Sequence, residues 1–531
     1  MANIKYSRLI NELGSSNGYT RWAKGRIPVA FLKQQIFLLV IILSSLLLLI
    51  ITTFFTSDVD YDQMPSTAHE IDYGVVVDCG SSGTRAHIFT WRRADGRSPT
   101  SKIELLRDSQ KKPLSKHITP GLSTLRDKPE NASEYMEPIM NFISESIPYD
   151  RHISTPIYFM ATAGMRLLDE STQKKILFDI TRDLRAKYYF PRIKSQVITG
   201  QYEGAYSWLS VNSDRYYNDS STQSKSIGII EMGGASTQVT FELNNDTESL
   251  ILDGLKDAGA SATFKNQIIK LDLSKDTSVK LFATSFLGLG VNSAREFAID
   301  LLVRDSLNGT GQLGEHKPDL KNFDVSLYDP CLTNGSSEMV LRPAEVISSM
   351  DRSIGFVLED QNNAFKVRLE GSGNFLNCLA LLERVIKAIK SEGLNCTPSK
   401  QSCPMTLLGT NFIPFKHYSF VGLSEMYFTT NEIMNLAGTF NRSHVLRETN
   451  RICSTDYSQL QLKSHGFVSY KDRILYECFK ASWLLTILHN SGLKMPVNYD
   501  NFETLDRIHD REIDWTIGAM LWETLARARD F

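Results

Sequence analysis

Val75–Phe89 reads VVVDCGSSGTRAHIF and Gly228–Glu242 reads GIIEMGGASTQVTFE. Aligned on Asp78 and Glu231, an offset of 231 − 78 = 153, both have an apolar or glycine run and then an acid. Glycine with small residues follows, then Thr and a second apolar-rich stretch. β-Branched residues around a glycine-bearing turn predict a strand, a tight turn and a returning strand, because glycine tolerates φ > 0 and leaves backbone N–H groups accessible. Two such turns facing one another would hold a phosphate chain, with an acid beside each for a metal ion. The repeat points to phosphoryl chemistry on a nucleotide, carried on two similar halves.

Working outward, 531 residues at 42% hydrophobic and 22% charged can bury one large core or two ordinary ones. A formal net charge of −2 provides no sequence-wide basic field, so composition lends no support to a nucleic-acid partner. Ile36–Phe55 carries no charge over twenty residues, close to the roughly 20 needed to cross a bilayer. Lys5, Arg8, Arg21, Lys24, Arg26 and Lys33 precede it against the lone acid Glu12, and Asp58, Asp60 and Asp62 follow. This bias predicts a single-pass type II anchor with a cytosolic N-terminus and the rest across the membrane. A cleaved signal peptide is the competing reading. The apolar run exceeds the 7–15 residues usual for one, and no small-x-small cleavage site follows. Ser44 and Ser45 lack GxxxG-like spacing, so the oligomeric state stays open.

The remaining sequence suits a secretory compartment. Glycosylation sequons stand at Asn131, Asn218, Asn245, Asn308, Asn334, Asn395 and Asn441, all after the span. Of 7 cysteines, Cys331, Cys378, Cys396, Cys403, Cys453 and Cys478 form an even set with fifteen possible pairings. Nearest-neighbour closure favours 396 with 403 and 453 with 478, leaving 331 for 378. Cys79, inside the first phosphate turn, reads as a small buried thiol with no adjacent His or Lys to activate it.

After the first hairpin, Pro129–Ile147 and Ser171–Tyr188 have helical spacing, and Thr155–Ala161 is a short strand. Gln196–Asn212 reads as a strand entering a helix through glycine. Strands alternating with helices after each hairpin predict an α/β architecture. Signals weaken from Asn244 to about Glu345, and helical spacing returns at Asn374–Ser391 and Arg473–Ser491. The GSGN turn at Gly371 reads as structural, and residues 392–404 as a surface excursion closed by its own disulfide.

Four blocks, DCGSSGTR from Asp78, ATAGMR from Ala161, TGQYEGAYSW from Thr199 and EMGGASTQ from Glu231, resemble the signature regions of the apyrase family, the nucleoside triphosphate diphosphohydrolases. DWTIGAML from Asp514 is similar to that family's C-terminal block. The resemblance implies an actin-like (ribonuclease H-like) duplicated two-lobe fold with nucleotide in the interlobe cleft. The implied organisation is a tail (1–35), an anchor (36–55) and a stem (56–70). Lobe I (71–198) and lobe II (199–500) follow, and a segment (501–531) returns to lobe I.

Hydrolysis of a terminal phosphate needs an oriented water, a base, donors and a divalent cation. Glu203 in QYEGAY is the expected base, a role the resemblance also assigns; the bland alternative is a helix N-terminal acid. Ser236 and Gln238 correspond to residues holding the attacking water, and otherwise pass as ordinary polar strand residues. Asp78 and Glu231 are the expected metal-side acids, and Thr162 resembles a position near the metal's water shell. Gly80, Ser81, Ser82, Gly83, Thr84 and Arg85, with Gly233, Gly234 and Ala235 opposite, are the expected phosphate contacts. Arg166 reads either as a neutralising charge or as a surface ion pair. Hard oxygen ligands and phosphate imply Ca²⁺ or Mg²⁺ rather than zinc. Phe428, or its neighbour Tyr427, resembles the aromatic that stacks on the base, with core packing expected of the other because adjacent strand residues face opposite ways.

Two departures bear on activity. The family usually has Asp where this chain has Glu231, and a displacement of about 1 Å can cost about 10²-fold in rate. Cell-surface members usually carry His where this chain has Gly83, so GSSGTR is closer to the organellar branches that favour diphosphates. The leading expectation is a Golgi-membrane, lumenal hydrolase of UDP and GDP. Its competitors are an ecto-triphosphatase, a catalytically weakened glycoprotein of the same fold, and a sugar kinase, which the span and sequons oppose.

Overall fold

Strand β1 (Ile71–Cys79) pairs antiparallel with β2 (Thr84–Arg92), placing Asp78 opposite Arg85. The computed structural model describes residues 71–92, 102–214, 225–273, 278–307, 324–343, 364–392, 403–432, 434–463, 471–489, 491–508 and 511–529, all within the compact unit His69–Phe531. The expected span Ile36–Phe55 lies outside these. Among the described residues no helix is long and apolar enough to cross a membrane.

Next in sequence are β3 (Glu104–Leu105), β4 (Ser115–Ile118), β5 (Ile157–Ala161) and β6 (Ile193–Val197), which complete a first sheet of order β3-β2-β1-β5-β6, with β4 also on β2. The second hairpin is β7 (Ile227–Met232) and β8 (Ser236–Glu242), with Glu231 opposite Gln238. After β9 (Ile268–Asp272) and β10 (Ser278–Leu287), strands β11 (Asp324–Asp329), β12 (Ser337–Pro343) and β13 (Ala364–Gly371) form a separate small sheet. With β14 (Ser419–Ser424), β15 (Gly438–Thr439) and β16 (Phe502–Thr504), the second large sheet runs β15-β16-β14-β7-β8-β10-β9. A last hairpin joins β17 (Arg507–Ile508) to β18 (Arg511–Glu512).

The path β10-β8-β7-β14-β16 repeats β3-β2-β1-β5-β6 in order and direction: a hairpin, an antiparallel strand beyond its second member, and two parallel strands beside its first. The 153-residue offset that relates Asp78 to Glu231 also relates Arg85 to Gln238, so the duplication holds strand register.

Both sheets are covered on both faces, which is why β1 and β7 read as continuous apolar runs. Val75 and Val77 pack outward against helices Ala132–Ser146 and Glu170–Lys187. Val76 packs inward with Trp208, Leu209 and Met520, from helices Gly200–Asn212 and Trp515–Arg529. Ile229 shares that inner core, while Ile230 turns to an outer one containing Phe282, Leu382 and Trp483. The two central helices thus lie between the large sheets, and Thr199 caps the first by accepting from the N–H of Tyr202.

Disulfides join Cys331 to Cys378 and Cys453 to Cys478; Cys403 is also disulfide-bonded, and its expected partner Cys396 lies outside the described residues. The GSGN turn is structural, because Gly373 (φ +56°) leaves no room for a side chain against the Cys453 carbonyl. Asn131, Asn245 and Asn441 are exposed and Asn334 is partly buried; Asn218, Asn308 and Asn395 fall outside the described residues.

Candidate active site

Asp78 and Glu231 occupy equivalent places near the ends of β1 and β7, where the two hairpin turns approach each other. A side chain on Gly234 would put its Cβ 2.8 Å from the Ser81 hydroxyl of the opposing turn, which shows how closely the two turns approach. Around the junction lies a cavity of about 240 Å³. It is lined by Asp78, Gly80, Ser81, Ser82 and Arg85 from the first hairpin, and by Glu231, Gly233, Gly234, Ala235, Ser236 and Gln238 from the second. Thr162, Glu203, Tyr427 and Phe428 complete the sequence-derived set.

Gly83 and Thr84 are not brought there. The space a side chain at 83 would take is filled by His117, whose Nε2 would lie 2.3 Å from the new Cβ. Thr84 begins β2 and points to the outer face of the sheet, its Oγ1 accepting from the hydroxyl of Tyr135 on the Ala132–Ser146 helix at 3.0 Å. The motif is contiguous in sequence, but strand alternation sends alternate side chains to opposite faces. Tyr427 and Phe428 lie on a helix, Glu425–Asn431, and not on a strand, so both reach the cavity. Nor is Arg166 a surface ion pair: its side chain is only 13% exposed and lies against Glu203, to whose Oε2 its Nη2 donates.

Gly200 allows that pairing, since a Cβ there would meet Ser285 at 2.1 Å and Arg166 Nη1 at 2.3 Å. The Gln238 amide nitrogen lies 3.2 Å from Glu203 Oε2, 2.6 Å from Ser236 Oγ and 3.2 Å from Ser285 Oγ. Glu203, Ser236 and Gln238 therefore form one hydrogen-bonded group. Burial raises the Glu203 pKa and Arg166 opposes the rise.

Asp78 is pushed well above the usual carboxylate range by burial and then by Asp514, Glu203 and Glu231. Its Oδ1 is buried with no hydrogen-bond partner. Glu231 is raised to about 7, by burial first, while hydrogen bonds from Ser207 and Ser424 pull the other way. A concentration of carboxylates with an orphaned oxygen fits a divalent cation. Among the described residues no three His, Cys, Asp or Glu side chains converge to ligate an ion by themselves.

The GDA1/CD39 (nucleoside phosphatase) family model matches residues 64–528. The chain belongs to this family. Ectonucleoside triphosphate diphosphohydrolase 7 of Homo sapiens is 30% identical over 476 residues, covering 86% of this chain and 73% of the relative. Nucleoside-diphosphatase mig-23 of Caenorhabditis elegans is 29% identical over 485 residues, covering 85% and 77%. A crystal structure of nucleoside triphosphate hydrolases from Neospora caninum shares the fold, with a TM-score of 0.54, 15% identity, and coverage of 86% of this chain and 93% of that one. As a member of the GDA1/CD39 family, the protein is a nucleotide phosphoanhydride hydrolase.

This nucleoside phosphatase lines its cavity with further residues that were not among the expected site residues: Ser424, Leu505, Asp506, Ile513, and Asp514 and Trp515, which open the DWTIGAML block. Ile513 donates its N–H to the Asp506 carbonyl, closing the β17–β18 hairpin over this end of the cleft. Asp514 accepts from the N–H of Thr516 at 2.7 Å, an ordinary helix-capping contact. The DWTIGAML block marked Asp514 by resemblance, but capping accounts for an Asp before a helix, so the residue type alone carried no signal that Asp514 joins Asp78 at the cavity. Ser424 had one local hint, its place directly before the aromatic pair.

Proposed function

We propose that this enzyme removes the terminal phosphate of nucleoside diphosphates, UDP and GDP above all, in a divalent-cation-dependent reaction in the Golgi lumen. The observation that carries the hydrolytic reading is the Glu203–Ser236–Gln238 group facing two glycine turns across one cavity. Ser236 and Gln238 would hold a water beside Glu203. Arg166 and Gln238 both bond Glu203 Oε2, which leaves Oε1 to take the proton as the water oxygen attacks the terminal phosphorus. The P–O bond to the bridging oxygen then breaks, and the nucleoside monophosphate departs with that electron pair. Backbone N–H groups of Gly80–Ser82 and Gly233–Ala235 would orient the phosphates, and Arg85 would offset their charge. Asp78 and Glu231, with Thr162 nearby, would hold the cation, Ca²⁺ or Mg²⁺, which supplies neutralisation of phosphate charge.

Gly83 and the likeness to a relative named a nucleoside-diphosphatase favour diphosphates. The charge-free stretch Ile36–Phe55 with its basic N-terminal flank supports a lumenal, membrane-anchored location, where glycosyltransferases release nucleoside diphosphates. The relative named a triphosphate diphosphohydrolase keeps UTP and ATP in play. The test is phosphate release by the full-length protein in detergent from UDP, GDP, ADP, UTP and ATP, with Ca²⁺, Mg²⁺ or chelator. The expected result is cation-dependent release fastest from UDP or GDP, falling by about 10²–10⁴-fold in Glu203→Ala. Faster release from ATP or UTP would move the reading to an ecto-type triphosphatase, and undiminished activity in chelator would remove the cation.

A further inference from the structure

Glu231 is held at both ends of its carboxylate. Ser207 Oγ donates to Oε2, and Ser424 Oγ donates to Oε1 at 2.9 Å. Ser207 stands one helical turn after Glu203, so the helix that brings the expected base into the cavity also brings one of these donors. Ser424 ends β14, whose Leu423 is paired in register with Glu231. Its backbone sits at φ 58°, ψ −122°, a left-handed conformation that serine adopts at a cost and glycine does not resist. The strain falls on a cavity-lining residue whose hydroxyl has one carboxylate as its recorded acceptor.

We propose that Ser207 and Ser424 are positioning residues that clamp Glu231, and that the clamp depends on the length of the glutamate side chain. A carboxylate free to rotate would present its oxygens to the phosphate site in many orientations, whereas two fixed donors leave one. The strained backbone at Ser424 aims its hydroxyl at the sheet partner, and a glycine there would relax the chain but release the carboxylate. An aspartate at 231 ends one methylene short of the two hydroxyls.

The inference rests on the family's phosphate release and not on a preference for diphosphates. Its test therefore uses, with the full-length protein, whichever nucleotide the wild type cleaves fastest. Ser424→Gly should lower kcat roughly tenfold or more while KM stays within about twofold. Its Tm should stay level or rise, because strain is lost. In the Glu231→Asp background the same substitution should change kcat by less than about twofold, because the shorter acid is already outside the clamp. Ser207→Thr, which keeps a hydroxyl, should restore most of the activity lost in Ser207→Ala. Binding of Mn²⁺ to the nucleotide-free protein, followed by electron paramagnetic resonance, should weaken in Ser424→Gly. Unchanged kcat and Mn²⁺ binding in Ser424→Gly, Tm falling in step with kcat, or equal losses in the wild-type and Glu231→Asp backgrounds would each overturn the clamp. A preference for triphosphates would overturn the diphosphate reading alone.

Discussion

Phe428 shows how much one side chain's surroundings decide. It is 40% exposed at the cavity, with the Arg473 guanidinium 5.8 Å from its ring centroid, whereas the Tyr427 hydroxyl accepts from Asn431 at 3.0 Å. A ring held from one side and open on another suits base stacking better than one tied by its own hydroxyl. Stacking is worth about 1–3 kcal/mol, so Phe428→Ala should raise the nucleotide KM about 5- to 150-fold with little change in kcat, as steady-state phosphate release would show. An unchanged KM would assign the base contact elsewhere. Most single residues of the site were legible because chemistry restricts the choice: an acid beside a glycine turn, and a glutamate between two glycines. Gly83 and Thr84 were not, because a motif read as a string carries no information on which of its residues face inward. Nor was the Arg166–Glu203 pair, whose members are 37 residues apart and meet only where the short helix Ala163–Arg166 lies against the N-terminal turn of the Gly200–Asn212 helix.

Among elements, the contact between the Gly200–Asn212 and Trp515–Arg529 helices matters most. A Cβ on Gly518 would lie 1.9 Å from the Tyr206 backbone oxygen, too close for any rotamer to relieve. Gly518→Ala should therefore separate the helices and destabilise the protein by about 1–3 kcal/mol, visible as a lower Tm in circular dichroism. Activity should fall with it, because the displaced helix carries Glu203 and Ser207; an unchanged Tm would refute the close-packing argument. The sequence disclosed the helices at Ala132–Ser146 and Glu170–Lys187 because each buries one stripe. It did not disclose Val291–Leu307, whose buried residues include Arg295, paired with Asp329 at 2.6 Å and interrupting the apolar stripe. SEMYFTT read as a strand, whereas Glu425–Asn431 is a helix that starts after the sharp turn at Ser424.

At the scale of the whole molecule, stability should depend on pH through acids buried without full compensation. Glu477 is buried in the Lys471–Leu488 helix with Oε1 unpartnered, and burial raises it from the ordinary 4.5 to about 8; Glu425 adds to the rise, and Lys480 and Arg473 oppose it. Between those values the folded state keeps a proton the unfolded chain has lost. Stability should thus fall as pH rises through this window, by at most about 1.4 kcal/mol per pH unit. Glu477→Gln should flatten that dependence in urea melts from pH 5 to 8, and an unaltered slope would place it in other groups. The sequence by itself determined that the chain has two hairpins with an acid beside a glycine turn, an α/β build and a glutamate between two glycines, because glycine turns, periodicity and charged residue types are local properties. Only the tertiary structure decided that Asp514 joins Asp78 at one cavity, that Arg166 is spent on Glu203, and that two serines from different elements meet Glu231. Those are distances between segments far apart in the chain, set by how the sheets and the central helices pack, and no local pattern encodes them.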